Sequence, residues 1–201
     1  MALTKKAERT KAKLLASARK LISERGFDHV SVEDITRDSQ VAKGTFYHYF
    51  KSKEEVVLEL SHASAVSNLE NALAYEGGVI ARCVQYFHSV YRDCAWNGVR
   101  IIRQWLRESI ENVSDGYDSE ETLCNMYESL RRVLVVHQGD GAGEMRADAP
   151  VEKVCRILVS HFIGVITVWC MLNGSFNIAV DSENYIRMDI ENLLGPYLIA
   201  E

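Results

Sequence analysis

The sequence predicts an all-α fold, with a three-helix N-terminal head carrying a helix-turn-helix and a longer helical body behind it. Three observations carry that expectation. Only two prolines, Pro150 and Pro196, occur in 201 residues, so almost no stretch is barred from helix. Apolar residues recur at the three-to-four spacing of helices rather than alternating as in strands. Helix-start signals, "SVED" at 31–34 and "SKEE" at 52–55, fall where one periodic segment gives way to the next. A chain with 47% hydrophobic and 25% charged residues folds around a real core rather than staying disordered.

The first helix reads from about Ala7 to Glu24, with Leu14, Leu15, Ala18, Leu21 and Ile22 on one face and Gly26 as its stop. Ser31 then caps a short helix that buries Val32, Ile35 and Thr36, and "VAKGTFYHYF" begins another after a tight turn. Ser52 and Glu55 form a capping box for a long fourth helix to about Tyr75, ended by Gly77 and Gly78. Further helices are expected over about 79–94, 97–112, 119–137, 150–173 and 182–199. The head spans 1–53 and the body 54–201, with the boundary at the fourth helix rather than in a flexible linker.

The helix at 150–173 has a second half, "FIGVITVWCML", that is apolar all round. Such a helix needs neighbours on every side. A partner subunit is the economical source, with Gly164 permitting close approach; the other reading is the central helix of a single-chain core.

Charge is unevenly placed. Residues 1–53 hold 12 Lys and Arg against 6 Asp and Glu, whereas the whole chain has 23 against 28, leaving a basic head on an acidic body. That asymmetry points to an anionic partner for the head. Within it, residues 41–57 combine Phe46, Tyr47, Tyr49 and Phe50 with Lys43, Lys51 and Lys53. At about 100° per residue, Phe46 and Phe50 share one face, which is core. Lys43, Gly44, Tyr47 and His48 share another, offering a cation, a bare backbone, a phenol and an imidazole that suit close approach to a base edge. Lys53 in the first turn of a helix opposes the macrodipole, a cost that reverses where a phosphate docks.

The run "GFDHVSVEDITRDSQVAKGTFYHYFKSKEEVV" (26–57) resembles the signature of the tetracycline-repressor (TetR) type of bacterial regulators, and the likeness covers about the first 60 residues. It implies a homodimeric transcription factor, usually a repressor, that reads a palindromic operator in duplex DNA and is released by a small-molecule effector. Carried over position by position, Lys43, Gly44, Tyr47 and His48 would face bases or flanking phosphates, and Ser31, Thr45, Tyr47, Tyr49 and Lys53 would grip the backbone. Two positions depart from the pattern: Gln40 stands where the family usually has Gly, and Ala42 where it has a Ser or Thr cap. The resemblance further implies an effector pocket in the body, for which the large side chains Tyr86, Phe87, Trp105, Tyr127, His161 and Trp169 are candidates. It places the dimer seam on the last two long helices, here Phe162, Val165 and Trp169 with Ile186, Ile190, Leu193 and Leu194.

Other functions find less support. A DNA-binding regulator or architectural factor that senses no small molecule is the alternative, and the supply of large polarizable groups in the body stands against it. "VLVVHQGDGAG" at 133–143 looks like a strand and a phosphate loop, but Glu144 occupies the third glycine position and no βαβ unit follows, so an inter-helix loop is expected. No nucleophile elbow, zinc-protease motif or P-loop occurs and the six histidines lack metal-ligand spacing, so no catalysis, metal or cofactor is expected. Five cysteines without a C-x-x-C pair suggest reduced, buried thiols. The N-terminus lacks the apolar core of a signal peptide and the apolar run from Phe162 to Leu172 is short for a membrane span, so a cytoplasmic protein without a membrane partner is expected.

Overall fold

A computed structural model describes residues 5–111 and 119–200. The chain is all-α, with α1 Lys5–Arg25, α2 Val32–Ser39, α3 Lys43–Tyr49, α4 Lys53–Leu73, α5 Val79–Glu111, α6 Ser119–Val135, α7 Val151–Met171 and α8 Ile178–Leu194. Short 3-10 turns at Phe27–His29 and Gly195–Tyr197 complete it. Among the described residues the only β-type pairing is an isolated bridge between Met145 and Leu198. The chain divides into two compact units, Met1–Ser64 with Trp96–Gly98, and Ala65–Ala95 with Val99–Glu201. The division falls within α4, at Ser64.

In the first unit the buried apolar side chains are Leu14, Ala18, Leu21 and Ile22 of α1, Ile35 of α2, Phe46 of α3, Phe50, and Val56, Val57 and Leu60 of α4. Each large apolar side chain buried this way contributes on the order of 1.5–3 kcal/mol. Salt bridges add connections at the surface. Lys20 of α1 reaches Asp38 of α2 at 2.8 Å, and Lys11 reaches Glu59 of α4 at 2.6 Å.

The second unit corrects several boundaries. The two helices expected over 79–94 and 97–112 are both present and run on as the element α5 across a kink at Gly98, whose φ of 80° and ψ of 159° take it out of helical geometry. That left-handed excursion is cheap only for a residue without Cβ. The last helix begins at Ile178, earlier than expected, because Asn177 caps it by accepting from the Ala179 amide at 3.2 Å. It ends at Leu194 and gives way to the 3-10 turn containing Pro196.

The segment after α6 is an inter-helix loop, as its sequence suggested. It is tied to the end of the chain by Ile199 N–H donating to Glu144 O at 2.9 Å and Arg146 N–H donating to Tyr197 O at 2.8 Å. Glu144 itself accepts a two-pronged contact from Arg82, a side chain only 1% exposed, and Arg82 also donates to the Gly77 carbonyl. Gly78 lies so close to this loop that a Cβ there would meet the Gly143 carbonyl oxygen at 2.8 Å. The glycine pair that was expected only to stop α4 therefore also admits the loop.

Helix α7 is long and apolar enough, by length and composition, to cross a membrane. In the folded chain its buried residues, Val154, Cys155, Leu158, Phe162, Ile166, Trp169 and Cys170, belong to the core of the second unit. Of its apolar 18-residue window, 44% is thus buried within the chain.

Candidate nucleic-acid interface and effector region

Helix α2 starts with the capping box that its sequence predicts, although the partner is Asp34. The Asp34 amide donates to Ser31 Oγ at 3.1 Å, while the Ser31 amide and hydroxyl donate back to the Asp34 carboxylate at 3.0 and 2.6 Å. Those bonds hold the Asp34 carboxyl below the usual carboxylate range, the Ser31 hydroxyl being the main cause. Ser31 is exposed, but its hydroxyl is engaged within the box.

The turn into α3 places Gln40 at φ 56°, ψ 37°, the left-handed conformation in which the family usually has Gly. A residue with a Cβ there costs on the order of 1 kcal/mol. The Val41 amide closes the turn onto the Thr36 carbonyl at 3.0 Å. Ala42 is the N-cap of α3 and makes no side-chain cap bond, as its methyl side chain requires.

Helix α3 divides its faces as the periodicity implied. Phe46 and the following Phe50 are buried, with ring centroids 5.7 Å apart. Lys43, Gly44, Tyr47 and His48 are exposed, and Thr45 and Tyr49 are half-buried beside them. A Cβ on Gly44 would meet nothing within 4 Å, so this part of the surface is open to a flat partner. Lys43 pairs with Glu33 of α2, both side chains more than half exposed at 54% and 55%. Their hydrogen bond lowers the Glu33 carboxyl and raises the Lys43 ammonium from their ordinary values. An exposed pair of this kind is weak and yields readily to a competing phosphate.

Lys53 departs from expectation. Rather than reaching outward to a phosphate, its ammonium donates to the Phe27 and Val30 carbonyls, each at 2.6 Å, and sits 3.9 Å from the Phe27 ring centroid. Two polarised carbonyls and an aromatic face supply the negative partners that a lysine in a helix's first turn needs, and they come from within the head.

In the second unit, five of the six candidate effector residues share one apolar core: Tyr86, Phe87 and Trp169 are buried in it, and Trp105 and Tyr127 pack against it. Tyr86 and Phe87 join Tyr91 and Phe162 in an aromatic cluster, with Tyr91 stacked on Phe162 at 4.7 Å and Phe87 5.0 Å from it. Burial pushes the Tyr86 hydroxyl up to about 12 and the Cys83 thiol likewise to about 12, so both stay neutral. Trp169 is buried and donates its indole N–H to the Phe176 carbonyl at 3.0 Å. Trp105 is half-buried, and Tyr127 directs its hydroxyl to Glu152 at 2.6 Å. His161 stands apart from them, exposed and paired with Asp189 of α8 at 2.9 Å. Cys124 lies outside the residues whose side chains are described.

Of the residues expected at a dimer seam, the structure covers most from within the subunit. Phe162, Trp169, Ile186, Ile190 and Leu194 are buried inside the subunit, while Val165 and Leu193 are half-buried. The large apolar residues left facing outward on α7 and its C-cap are Ile157, Val168, Met171 and Leu172. With Gly164 they lie on one stripe at three-to-four spacing, which sequence reading missed because the helix is apolar on its inner side as well.

Residues 14–60 match the model of the bacterial regulatory proteins of the tetR family. Over nearly its whole length the chain is 22% identical to the HTH-type transcriptional regulator TtgR of Pseudomonas putida, covering 96% of this chain and 95% of that one. Its fold is similar to that of a TetR-family transcriptional regulator from Pectobacterium atrosepticum, with a TM-score of 0.64, 20% identity and 98% of each chain covered. It is also similar to the transcriptional regulator FadR from Bacillus subtilis in complex with stearoyl-CoA, with a TM-score of 0.57, 17% identity, and 89% of this chain and 96% of that one covered.

Proposed function

We propose, from the match of residues 14–60 to the tetR family of bacterial regulatory proteins, that the chain is a homodimeric repressor that leaves a palindromic operator when a small molecule binds its second unit. The observation that carries this reading is the two-faced α3, with Phe46 buried and Lys43, Gly44, Tyr47 and His48 presented together to solvent. A short helix of this kind enters the major groove, where Lys43 and Tyr47 can donate to base edges and the bare Gly44 lets the backbone approach. Thr45 and Tyr49, half-buried at the flank, and Ser31 at the start of α2 are placed for backbone phosphates. Lys43 exchanges its Glu33 partner for DNA.

Two such heads related by a two-fold axis need half-sites about one helical turn apart, roughly 34–36 Å, or a multiple of it. The exposed stripe of Ile157, Gly164, Val168 and Met171 on α7 supplies the dimer seam in this reading. An effector that is largely apolar suits the aromatic cluster of Tyr86, Phe87, Tyr91 and Phe162, and FadR, a protein of the same fold, binds stearoyl-CoA. Helix α4 begins in the head unit and ends in the other, so it is the element through which two states of the dimer would be coupled.

Selection from random duplexes should enrich an inverted repeat. A compound that raises the melting temperature should then bind less tightly in the presence of that operator, by the same factor by which it weakens DNA binding. No enriched sequence at moderate salt would refute the regulator reading, and equal affinities with and without operator would show that the compound is no inducer.

A further inference from the structure

We propose that Lys53 is the positioning residue of the DNA-reading head, a tie that sets the start of α2 against the start of α4, and not one of its phosphate ligands. The inference rests on the regulator reading above and concerns how that same interface is held.

A lysine at the first position of a helix faces the positive end of the macrodipole, so it is retained only where something negative compensates. Here the compensation is internal. The Lys53 ammonium donates at 2.6 Å to the Phe27 carbonyl inside the 3-10 turn and at 2.6 Å to the Val30 carbonyl, immediately before the Ser31 cap of α2. It also lies over the ring of Phe27, which is itself buried. Three contacts from one half-buried ammonium thus converge on the six-residue link, 26–31, between α1 and α2.

That link needs an outside restraint. Gly26 opens it at φ 78°, and its own backbone bonds are long, His29 N–H to Gly26 O at 3.3 Å and Val30 N–H to Phe27 O at 3.4 Å. The other lysines that join elements of the head, Lys11, Lys20 and Lys43, pair with exposed carboxylates that solvent and salt screen. Lys53 binds backbone instead, so a movement of the α4 start is passed directly to the residue that precedes the α2 cap. The orientation of α2, and with it that of α3 across the Gln40 turn, follows.

Lys53→Met keeps the aliphatic stem over Phe27 and removes the donors. Assayed about 20 °C below its melting point, where a purely structural defect would leave nearly all molecules folded, the variant should bind the selected operator roughly tenfold or more weakly. Its salt dependence should keep the wild-type slope, because no phosphate contact is lost. Independently of any variant, the ammonium protons of Lys53 in the wild-type protein should exchange slowly in NMR spectra and remain unshifted when operator is added. A slope shallower by about 0.9, or an ammonium signal that moves on DNA binding, would make Lys53 a phosphate ligand and overturn the proposal. Unchanged operator affinity in Lys53→Met would overturn it as well. Failure of the wild-type protein to select any sequence would instead defeat the regulator reading.

Discussion

At the scale of single residues, the head is built from polar groups that each fasten one element to the next. Ser31 and Asp34 close the start of α2, Lys53 holds the link before it, and Glu33 holds Lys43 at the start of α3. The Ser31–Asp34 box has a pH signature whose sign is fixed by its hydrogen bonds. The Asp34 carboxyl is depressed in the folded protein, chiefly by the Ser31 hydroxyl. Its stabilising contribution is present above the unfolded value of about 3.9 and is lost as pH falls through the lower folded value. Asp34→Asn should therefore flatten the dependence of stability on pH below about pH 4 while leaving its slope near neutrality unchanged. Thermal unfolding across a pH series measures this, and an unaltered acid limb would show that the box is not formed in solution. The same residues explain why Gln40 and Ala42 are tolerated: the turn between α2 and α3 is closed by the backbone bond from Val41 to Thr36, which asks nothing of either side chain.

At the scale of elements, the second unit depends on one buried ionic contact with no counterpart in its sequence pattern. Arg82 projects from the first turn of α5 and meets Glu144 across 62 positions of chain, and the Arg82 Nε has no hydrogen-bond partner. Such a pair is weak evidence for net stability but strong evidence for specificity of the docking, because neither charge tolerates burial alone. Arg82→Met should destabilise the protein by about 3–5 kcal/mol by stranding Glu144, and a second change, Glu144→Leu, should recover most of the loss. Urea unfolding of the single and double variants decides it. If the double variant is as unstable as Arg82→Met, the contact is not a closed pair. The kink at Gly98 and the cap at Asn177 belong to the same scale, since each changes where a helix runs without changing which residues are apolar.

At the scale of the whole molecule, assembly turns on the face of α7 that the subunit leaves uncovered. Val168 is 49% exposed, so a charge there costs the isolated subunit little, whereas in a dimer seam it would be buried without a partner. Val168→Glu should sediment as a folded monomer with an unchanged helical spectrum. Its operator affinity should fall roughly 100-fold or more, because two half-sites would no longer be engaged together. A folded Val168→Glu dimer would place the seam elsewhere.

By itself, the sequence determined the number and kind of elements, the basic character of the head and the two faces of α3. All of these depend on local periodicity, caps and charge counts within a few turns of chain. Phe46 and Phe50 could be assigned to the core, and Lys43, Gly44, Tyr47 and His48 to the surface, from about 100° of rotation per residue alone. Only the tertiary structure decided which negative group answers each cation and which apolar side of a helix is covered from within. Lys53 looked free for a phosphate because its carbonyl partners at Phe27 and Val30 carry no side-chain signal. Phe162 and Trp169 looked like seam residues because a helix apolar on every side gives no clue to which side its own chain will cover. That choice is made by long-range packing, through Tyr91 stacked on Phe162 and Phe176 bonded to Trp169, and leaves Val168 and Met171 outside.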